Sequence, residues 1–351
     1  PNASVGAVLV RDGTVVGRGF TAPAGGPHAE VRALAEAGPL ARGAELFVTL
    51  EPCCHHGRTP PCTDALIAAG VARVCVAARD PNPKVAGGGV AALRRAGIAV
   101  DLGLGGPAAR RLIDPFRHWV LEQRPLVLAK YAMTLDGRIA SQAGDSRWVS
   151  GPPARLLVHR LRDVADAVLV GAGTVRADDP RLDTRLPEGE EARSPLRVIV
   201  DSRGRLPLDR QVFDAALPGR TLVATVRPPA AWRQALEARG HRVWTLPSDV
   251  AGRVALPELL RRLAAEAQVL SLLVEGGSAL LGSLFAAGLV DRLLAFVAPK
   301  IIGGSRAPGP VGDPGRDLMA QALTLPGLRW QRLGPDLVVH GPVGGPVMGE
   351  A

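Results

Sequence analysis

His28, Glu30, Cys53 and Cys62 are the residues of this chain best suited to chemistry. His28-Ala29-Glu30 is followed by Pro52-Cys53 and, nine residues later, by Cys62. An imidazole and two thiolates are good zinc ligands, and a fourth position left open makes such a site catalytic. Water held there is acidified towards neutrality and becomes a nucleophile. Glu30 stands two residues after His28, on the first turn of a helix, where its carboxyl can carry a proton from nucleophile to leaving group. Cys54, His55 and His56 fall in the same stretch, PCCHHGRTPPC, and compete as ligands. A structural zinc normally takes four protein ligands and has no use for the neighbouring carboxylate that Glu30 supplies.

His-x-Glu followed by Pro-Cys-x-x-Cys marks the zinc-dependent deaminases. Here eight residues, not two, separate Cys53 from Cys62. That longer insert and the opening PNASVGAV resemble the bifunctional deaminase–reductases of riboflavin biosynthesis, with Ala3 where the family motif has proline. The resemblance implies Zn2+ on His28, Cys53 and Cys62, with Glu30 as proton carrier and Cys54 where the family commonly has serine. It also implies substrate contacts at Asn2, Arg58 and Lys84, the Arg58 guanidinium being suited to phosphate.

The resemblance continues through KYAMTLDGRIA (130–140), SRWVS (146–150), VGAGTVRADDPRLDTR (170–185), VDS (200–202) and VEGGSALLGSLFAAGLVDRL (274–293). These segments imply an NADPH-dependent reductase related to dihydrofolate reductase. NADPH is then expected at Ala132, Trp148, Thr174, Asp178, Ser202, Gly277 and Ser278, and the substrate at Lys130, Ser146, Arg162, Leu182, Arg185 and Glu275. Read by themselves, Glu275-Gly276-Gly277-Ser278 end a strand and open a helix, where glycines let backbone N–H groups approach a phosphate. GAGTVR (171–176) lacks the last glycine of a dinucleotide fingerprint. Arg162 and Arg185 suit a sugar phosphate. The implied activity has two steps. The first half deaminates 2,5-diamino-6-ribosylamino-4(3H)-pyrimidinone 5′-phosphate, and the second reduces the ribosyl group of the product to ribityl.

The elements that must position these residues alternate. VGAVLV and TVVGRGF, joined by Arg-Asp-Gly-Thr, predict a hairpin. HAEVRALAEAG predicts a helix, ELFVTL a strand, PCTDALIAAG a helix and RVCVAA a strand. A core strand starting at residue 5 leaves an edge that an upstream helix would cover. Residues 114–125, with a proline at each side, read as a bridge between halves. The alternation restarts at LVLAKYAM and runs through helices near 152–166, 256–266 and 278–288. The expected fold class is α/β. On the resemblance it divides into a cytidine-deaminase-like three-layer α/β/α domain over 1–115 and a dihydrofolate-reductase-like α/β domain over 126–342.

At 351 residues the chain is long for one core, and 47% hydrophobic with 21% charged residues is a globular composition. The net charge of +9 raises a rival: a nucleic-acid base deaminase whose C-terminal half binds a polynucleotide. Against it stand scattered arginines, only 3% aromatic residues and the NADP-type segments. Anionic small substrates account for a basic surface equally well. Lysine occurs only at 84, 130 and 300, so each is a candidate for a compact point charge. No apolar stretch reaches the ~18–20 residues of a membrane helix. PNASVGAVLV does not read as a signal peptide. The expectation is a cytoplasmic enzyme acting on a phosphorylated pyrimidine, with no nucleic acid or membrane partner and with a homo-oligomer left open.

Overall fold

A computed structural model describes residues 3–344 apart from 24, 58 and 84, so Asn2, Arg58 and Lys84 lie outside the described residues. Contacts divide the chain into Pro1–Arg124 and Pro125–Ala351.

The first unit opens on a hairpin of β1 (Gly6–Arg11) and β2 (Thr14–Phe20). Arg11 pairs with Thr14, and both loop residues, Asp12 and Gly13, have positive φ, as a two-residue turn of this hand requires. Then come α1 (Ala29–Ala37), β3 (Glu45–Leu50), α2 (Cys62–Ala69), β4 (Arg73–Ala78), α3 (Gly88–Arg95), β5 (Ala99–Leu102) and α4 (Gly106–Glu122). The sheet order is β2-β1-β3-β4-β5. β1 is therefore paired on both sides, and the expectation that it forms an edge is corrected: β2 takes that place.

α1 can lie flat on β2 only because two strand residues are glycine. A Cβ on Gly19 would sit 1.9 Å from the Ala29 carbonyl oxygen, and one on Gly17 would sit 2.2 Å from that of Ala33. On the helix side the contact is made by the buried alanines 29, 33 and 37. Leu46, Val48, Leu66, Val74, Val76 and Leu93 fill the core behind them.

The expected bridge at 114–125 is mostly the second half of α4, which runs through Pro115. An internal proline costs a helix about 3 kcal/mol. Ile113 and Phe116, packed with Leu50 and Ala78, offset that cost by burial.

The second unit contains β6 (Leu126–Thr134), α5 (Pro152–Val164), β7 (Ala167–Gly171), α6 (Ala172–Asp178), β8 (Leu196–Val200), β9 (Thr221–Thr225), α7 (Ala230–Ala238) and β10 (Arg242–Thr245). It continues with α8 (Leu256–Glu266), β11 (Ser271–Gly276), α9 (Ser278–Ala286), β12 (Arg292–Ala298), β13 (Arg329–Leu333) and β14 (Asp336–Pro342). The sheet order is β10-β9-β8-β7-β11-β6-β12-β14-β13, parallel from β10 to β12 and antiparallel at β14 and β13. Central strands are buried on both faces. Ala167 and Leu169 of β7 enter one core, and Val168 and Val170 enter the other. α8 adds Leu256, Leu259, Leu260 and Leu263 at helical spacing. The β13–β14 hairpin was not anticipated, because RWQRL is almost wholly exposed and carries no apolar alternation. No helix among the described residues is long and apolar enough to cross a membrane.

The glycine contact is testable. Gly19→Ala drives a methyl into backbone, and overpacking of this kind costs ~1–3 kcal/mol. Thermal unfolding of this variant should show a lowered Tm and, because α1 carries His28 and Glu30, a reduced zinc content. An unchanged Tm would refute the contact.

Candidate active sites

His28 is the N-cap of α1, in extended conformation, and Glu30 lies in its first turn. Cys53 follows β3, and Cys62 is the first residue of α2. Two strand-to-helix junctions thus converge. The His28 Nδ1 lies 3.2 Å from the Cys62 Sγ and 3.6 Å from the Cys53 Sγ. The Cys62 backbone N–H donates to the Cys53 Sγ at 3.2 Å. All three donor atoms lie within 4.8 Å of one another. Zn–S bonds of about 2.3 Å and Zn–N bonds of about 2.0 Å put the donors of a tetrahedral ion roughly 3.5 Å apart, so one nitrogen and two sulfurs at these spacings fit zinc.

Cys54, His55 and His56 are not members of this group. The Cys54 Sγ turns towards α3, 2.8 Å from where a Cβ on Gly88 would stand. The other His28 nitrogen, Nε2, meets the Thr59 hydroxyl at 3.3 Å. Such a partner fixes the ring orientation of a metal-binding histidine. The sequence reading missed Thr59, whose only signal is its place inside the Cys–Cys insert.

Charge in this cluster is unevenly shared. Hydrogen bonding from Cys62 draws the Cys53 thiol down to about 4, and the same contact pushes Cys62 up. His28 is pushed up by its hydrogen bond to Cys53. Glu30 is 4% exposed, and burial pushes its carboxyl above the usual carboxylate range. A carboxyl so placed can carry a proton between nucleophile and leaving group.

Glu51, also missed, organises the backbone next to the Cys53 loop. Its carboxylate accepts N–H bonds from Asp80 at 3.3 Å, Gly87 at 3.0 Å and Val90 at 3.0 Å. It thereby ties the segment DPNPKVAGGG to the Cys53 loop. A Cβ on Gly89 would sit 2.0 Å from the Pro52 carbonyl oxygen, so the approach also depends on glycine. Burial pushes Asp80 in that segment up to about 6. A charged residue ending the apolar run ELFVTL was the available signal.

In the second unit a cavity of about 770 Å³ opens at the ends of β6 and β11. Lys130, Ala132, Ser146, Trp148, Arg162 and Arg185 line it, as do Thr174, Asp178, Glu275, Gly277 and Ser278. Ser202 lies in an adjoining cavity of about 410 Å³. Leu182 lines neither: the residue is 3% exposed and packs in a hydrophobic core. Any ligand contact there falls to its backbone, which is left-handed at φ +57°.

Glu275 lines the cavity and is the hub of its charged groups. Arg162, from α5, grips it with two hydrogen bonds, Nε to Oε1 and Nη2 to Oε2, the latter at 2.8 Å. The third Arg162 nitrogen, Nη1, donates to the Asp183 carbonyl at 3.0 Å. Arg162 is thus committed to protein acceptors rather than standing as a free fork for phosphate. The Lys130 Nζ lies 3.9 Å from Glu275 on the neighbouring strand. Burial works to raise the Glu275 pKa, but Arg162 and Lys130 outweigh it and hold the carboxylate below its ordinary value. Burial pushes Lys130 down.

Arg185 pairs with Asp183 and keeps its side chain 51% exposed. Its backbone N–H donates to the His159 Nδ1 at 3.2 Å. Burial, then the cations of Arg162 and Arg185, press His159 down to about 4, which leaves the ring neutral at physiological pH. A lone histidine in an amphipathic helix gave no sequence signal for this. Trp148, 61% exposed, carries the Arg155 guanidinium 4.6 Å over its ring. The Ser146 hydroxyl donates to Asp178 at 3.0 Å, joining an expected substrate contact to an expected cofactor contact. Gly277 has φ +85°, and a Cβ there would come within 3.1 Å of the Thr174 hydroxyl. That bare turn, opening α9, leaves room and unspent N–H groups for a pyrophosphate, so the cavity fits a dinucleotide.

Two families match this chain. The cytidine and deoxycytidylate deaminase zinc-binding region matches residues 1–78, and the RibD C-terminal domain matches 125–339. The riboflavin biosynthesis protein RibD of Escherichia coli K12 is 42% identical over 97% of this chain and 93% of its own length. That of Aquifex aeolicus is 41% identical over 97% and 92%. This chain belongs to the RibD family.

Solved RibD structures agree. That from Acinetobacter baumannii has a TM-score of 0.86 at 37% identity, covering 98% of this chain and 92% of its own. A Thermotoga maritima deaminase/reductase has 0.84 at 36%, covering 98% and 93%. As a RibD protein, the chain is a bifunctional enzyme of riboflavin biosynthesis, a zinc-dependent deaminase and an NADPH-dependent reductase. The reductase match over the second half displaces the rival of a polynucleotide-binding domain.

Metal analysis tests the ligand set. The purified protein should carry about one zinc per chain. Cys53→Ala and Cys62→Ala should each abolish it, and Cys54→Ser should keep it. A zinc-free Cys54→Ser protein would overturn the assignment.

Proposed function

We propose that the first unit removes ammonia from 2,5-diamino-6-ribosylamino-4(3H)-pyrimidinone 5′-phosphate and that the second reduces the ribosyl group of the product to ribityl. The observation that carries this reading is the buried Glu30 carboxyl beside the His28–Cys53–Cys62 donor set. His28, Cys53 and Cys62 would hold the zinc, which when bound would supply an acidified water. Glu30 takes up a proton during attack and returns it to the departing amino group. Asn2, Arg58 and Lys84 are proposed to hold the substrate.

In the second unit hydride transfer belongs to the nicotinamide, and the chain supplies position and charge. Glu275 fixes the Lys130 ammonium beside the ribose carbon to be reduced, where it stabilises charge developing on oxygen. Arg162 keeps Glu275 ionised. Arg185, exposed at the cavity wall and anchored through His159, meets the sugar phosphate. Ser146 and the Leu182 backbone complete the substrate contacts. Ala132, Trp148, Thr174, Asp178, Ser202, Gly277 and Ser278 hold NADPH. We place the reaction in the cytoplasm, with no nucleic acid involved.

The two activities should separate. General acid–base help is worth ~10²–10⁴-fold, so Glu30→Gln should nearly stop ammonia release and leave NADPH oxidation with deaminated substrate close to wild type. Arg185→Ala should raise the reductase KM and spare deamination. It is a cleaner lesion than Glu275→Gln, which strands the buried Arg162 charge at a cost of ~3–5 kcal/mol. Loss of both activities in a folded Glu30→Gln protein would refute the two-site reading.

A further inference from the structure

Lys300 has no part in the chemistry described so far. Lysine is scarce in this arginine-rich chain, and Lys130 is already placed in the cavity. Lys300 stands just beyond Ala298, the last residue of β12, and its backbone is fixed on both sides. Its N–H donates to the Ala298 carbonyl at 2.8 Å, and its own carbonyl accepts from Leu135 at 2.8 Å. The N–H groups of Ile302 and Gly303 then go to the Asp136 carboxylate at 3.3 and 2.8 Å. From this fixed base the Lys300 Nζ donates to the Trp148 carbonyl oxygen at 2.5 Å, across 152 residues of sequence.

The segment it reaches is a long loop. Residues 135–151, between β6 and α5, form no helix or strand, so no ladder fixes them. Yet Ser146, Trp148, Val149 and Ser150 line the 770 Å³ cavity. Side chains supply the ties instead. The Ser146 hydroxyl donates to the Asp178 carboxylate at 3.0 Å and the Arg147 Nη2 to the Asp178 carbonyl at 2.6 Å, which joins the loop to α6. Arg155 of α5 donates to the Ser150 carbonyl at 2.9 Å and lies 4.6 Å over the Trp148 ring. Lys300 adds a tie from the loop to β12, which lies inside the sheet between β6 and β14. A single carbonyl asks for one compact donor, which an ammonium on a long stem supplies.

We infer that Lys300 is a positioning residue of the reductase. By holding the Trp148 carbonyl it fixes the 146–150 wall of the cavity, and with it the indole assigned to NADPH. Lys300 does not line the cavity and acts through Trp148. Both residues are exposed, so their bond adds little to global stability and acts on the loop. The inference rests on the cofactor contact proposed for Trp148.

Hydrogen exchange of the full chain, read by mass spectrometry on peptides covering 141–151, tests the tie without cofactor. In Lys300→Met these amides should exchange about three- to tenfold faster, as expected for one lost hydrogen bond, while α8 keeps its wild-type rates. NADPH binding, followed by titration calorimetry, should weaken by about the same factor. Lys300→Arg keeps a charged donor and should bring both readouts to within about threefold of wild type. The Tm and the release of ammonia should not change, because the substituted side chain is exposed. Unchanged exchange in Lys300→Met would overturn the tie, and faster exchange with unchanged NADPH affinity would overturn the positioning role. Trp148→Ala separates the inference from its premise. If that variant binds NADPH as the wild type does, the cofactor contact at Trp148 fails and the inference fails with it. If it binds weakly while Lys300→Met binds normally, only the role of Lys300 is lost.

Discussion

Backbone N–H groups that helices leave without internal partners at their first turns are the interaction on which both sites depend. A helix leaves its first four donors without internal partners, and its dipole favours negative charge there. In the first unit the Cys62 N–H, opening α2, is spent on the Cys53 sulfur. Gly87 and Val90, around the start of α3, spend theirs on Glu51. In the second unit the start of α9, just after Gly277, offers the same groups to a ligand. Because strands end where these helices begin, the sheet order decides which anionic groups meet which helix.

The two units solve the cost of buried charge differently. The deaminase donor set, two thiols and an imidazole, would give up protons to a divalent metal on binding it. The reductase cavity has no such exchange to make. It balances two cations, Arg162 and Lys130, on one carboxylate, Glu275, with His159 kept neutral beside them. A buried pair of this kind adds little net stability, but removing one partner is expensive. Its effect is to hold Lys130 in one place. The surface pairs Arg233–Glu237 and Arg262–Glu266 are worth only ~0.3–0.5 kcal/mol each and are incidental to function.

That contrast also resolves the basic composition. Many of the arginines behind the net charge of +9 decorate helix surfaces or cap carbonyl groups, as Arg193 and Arg239 do. Those around the second cavity differ, because four guanidinium groups converge on one concave surface with half as many carboxylates. Scattered in sequence, they become a patch only through the turn after β8 and the loop before α8.

The sequence by itself determined the alternation of strands and helices, the hairpin at Asp12-Gly13 and the His28–Glu30–Cys53–Cys62 constellation, because periodicity, turn chemistry and ligand type act over short spans. Tertiary structure decided what depends on neighbours distant in sequence. Pro115 signals a break, yet α4 continues because Ile113 and Phe116 find a core. Arg162 suits a phosphate in isolation, yet a carboxylate 113 residues away claims it. Leu182 is buried in a core that no local pattern announces. Thr59, His159 and Glu51 owe their roles to groups brought within hydrogen-bond range by the sheet. An ordinary residue acquires its chemistry from the field and donors around it, and these exist only once the chain has folded.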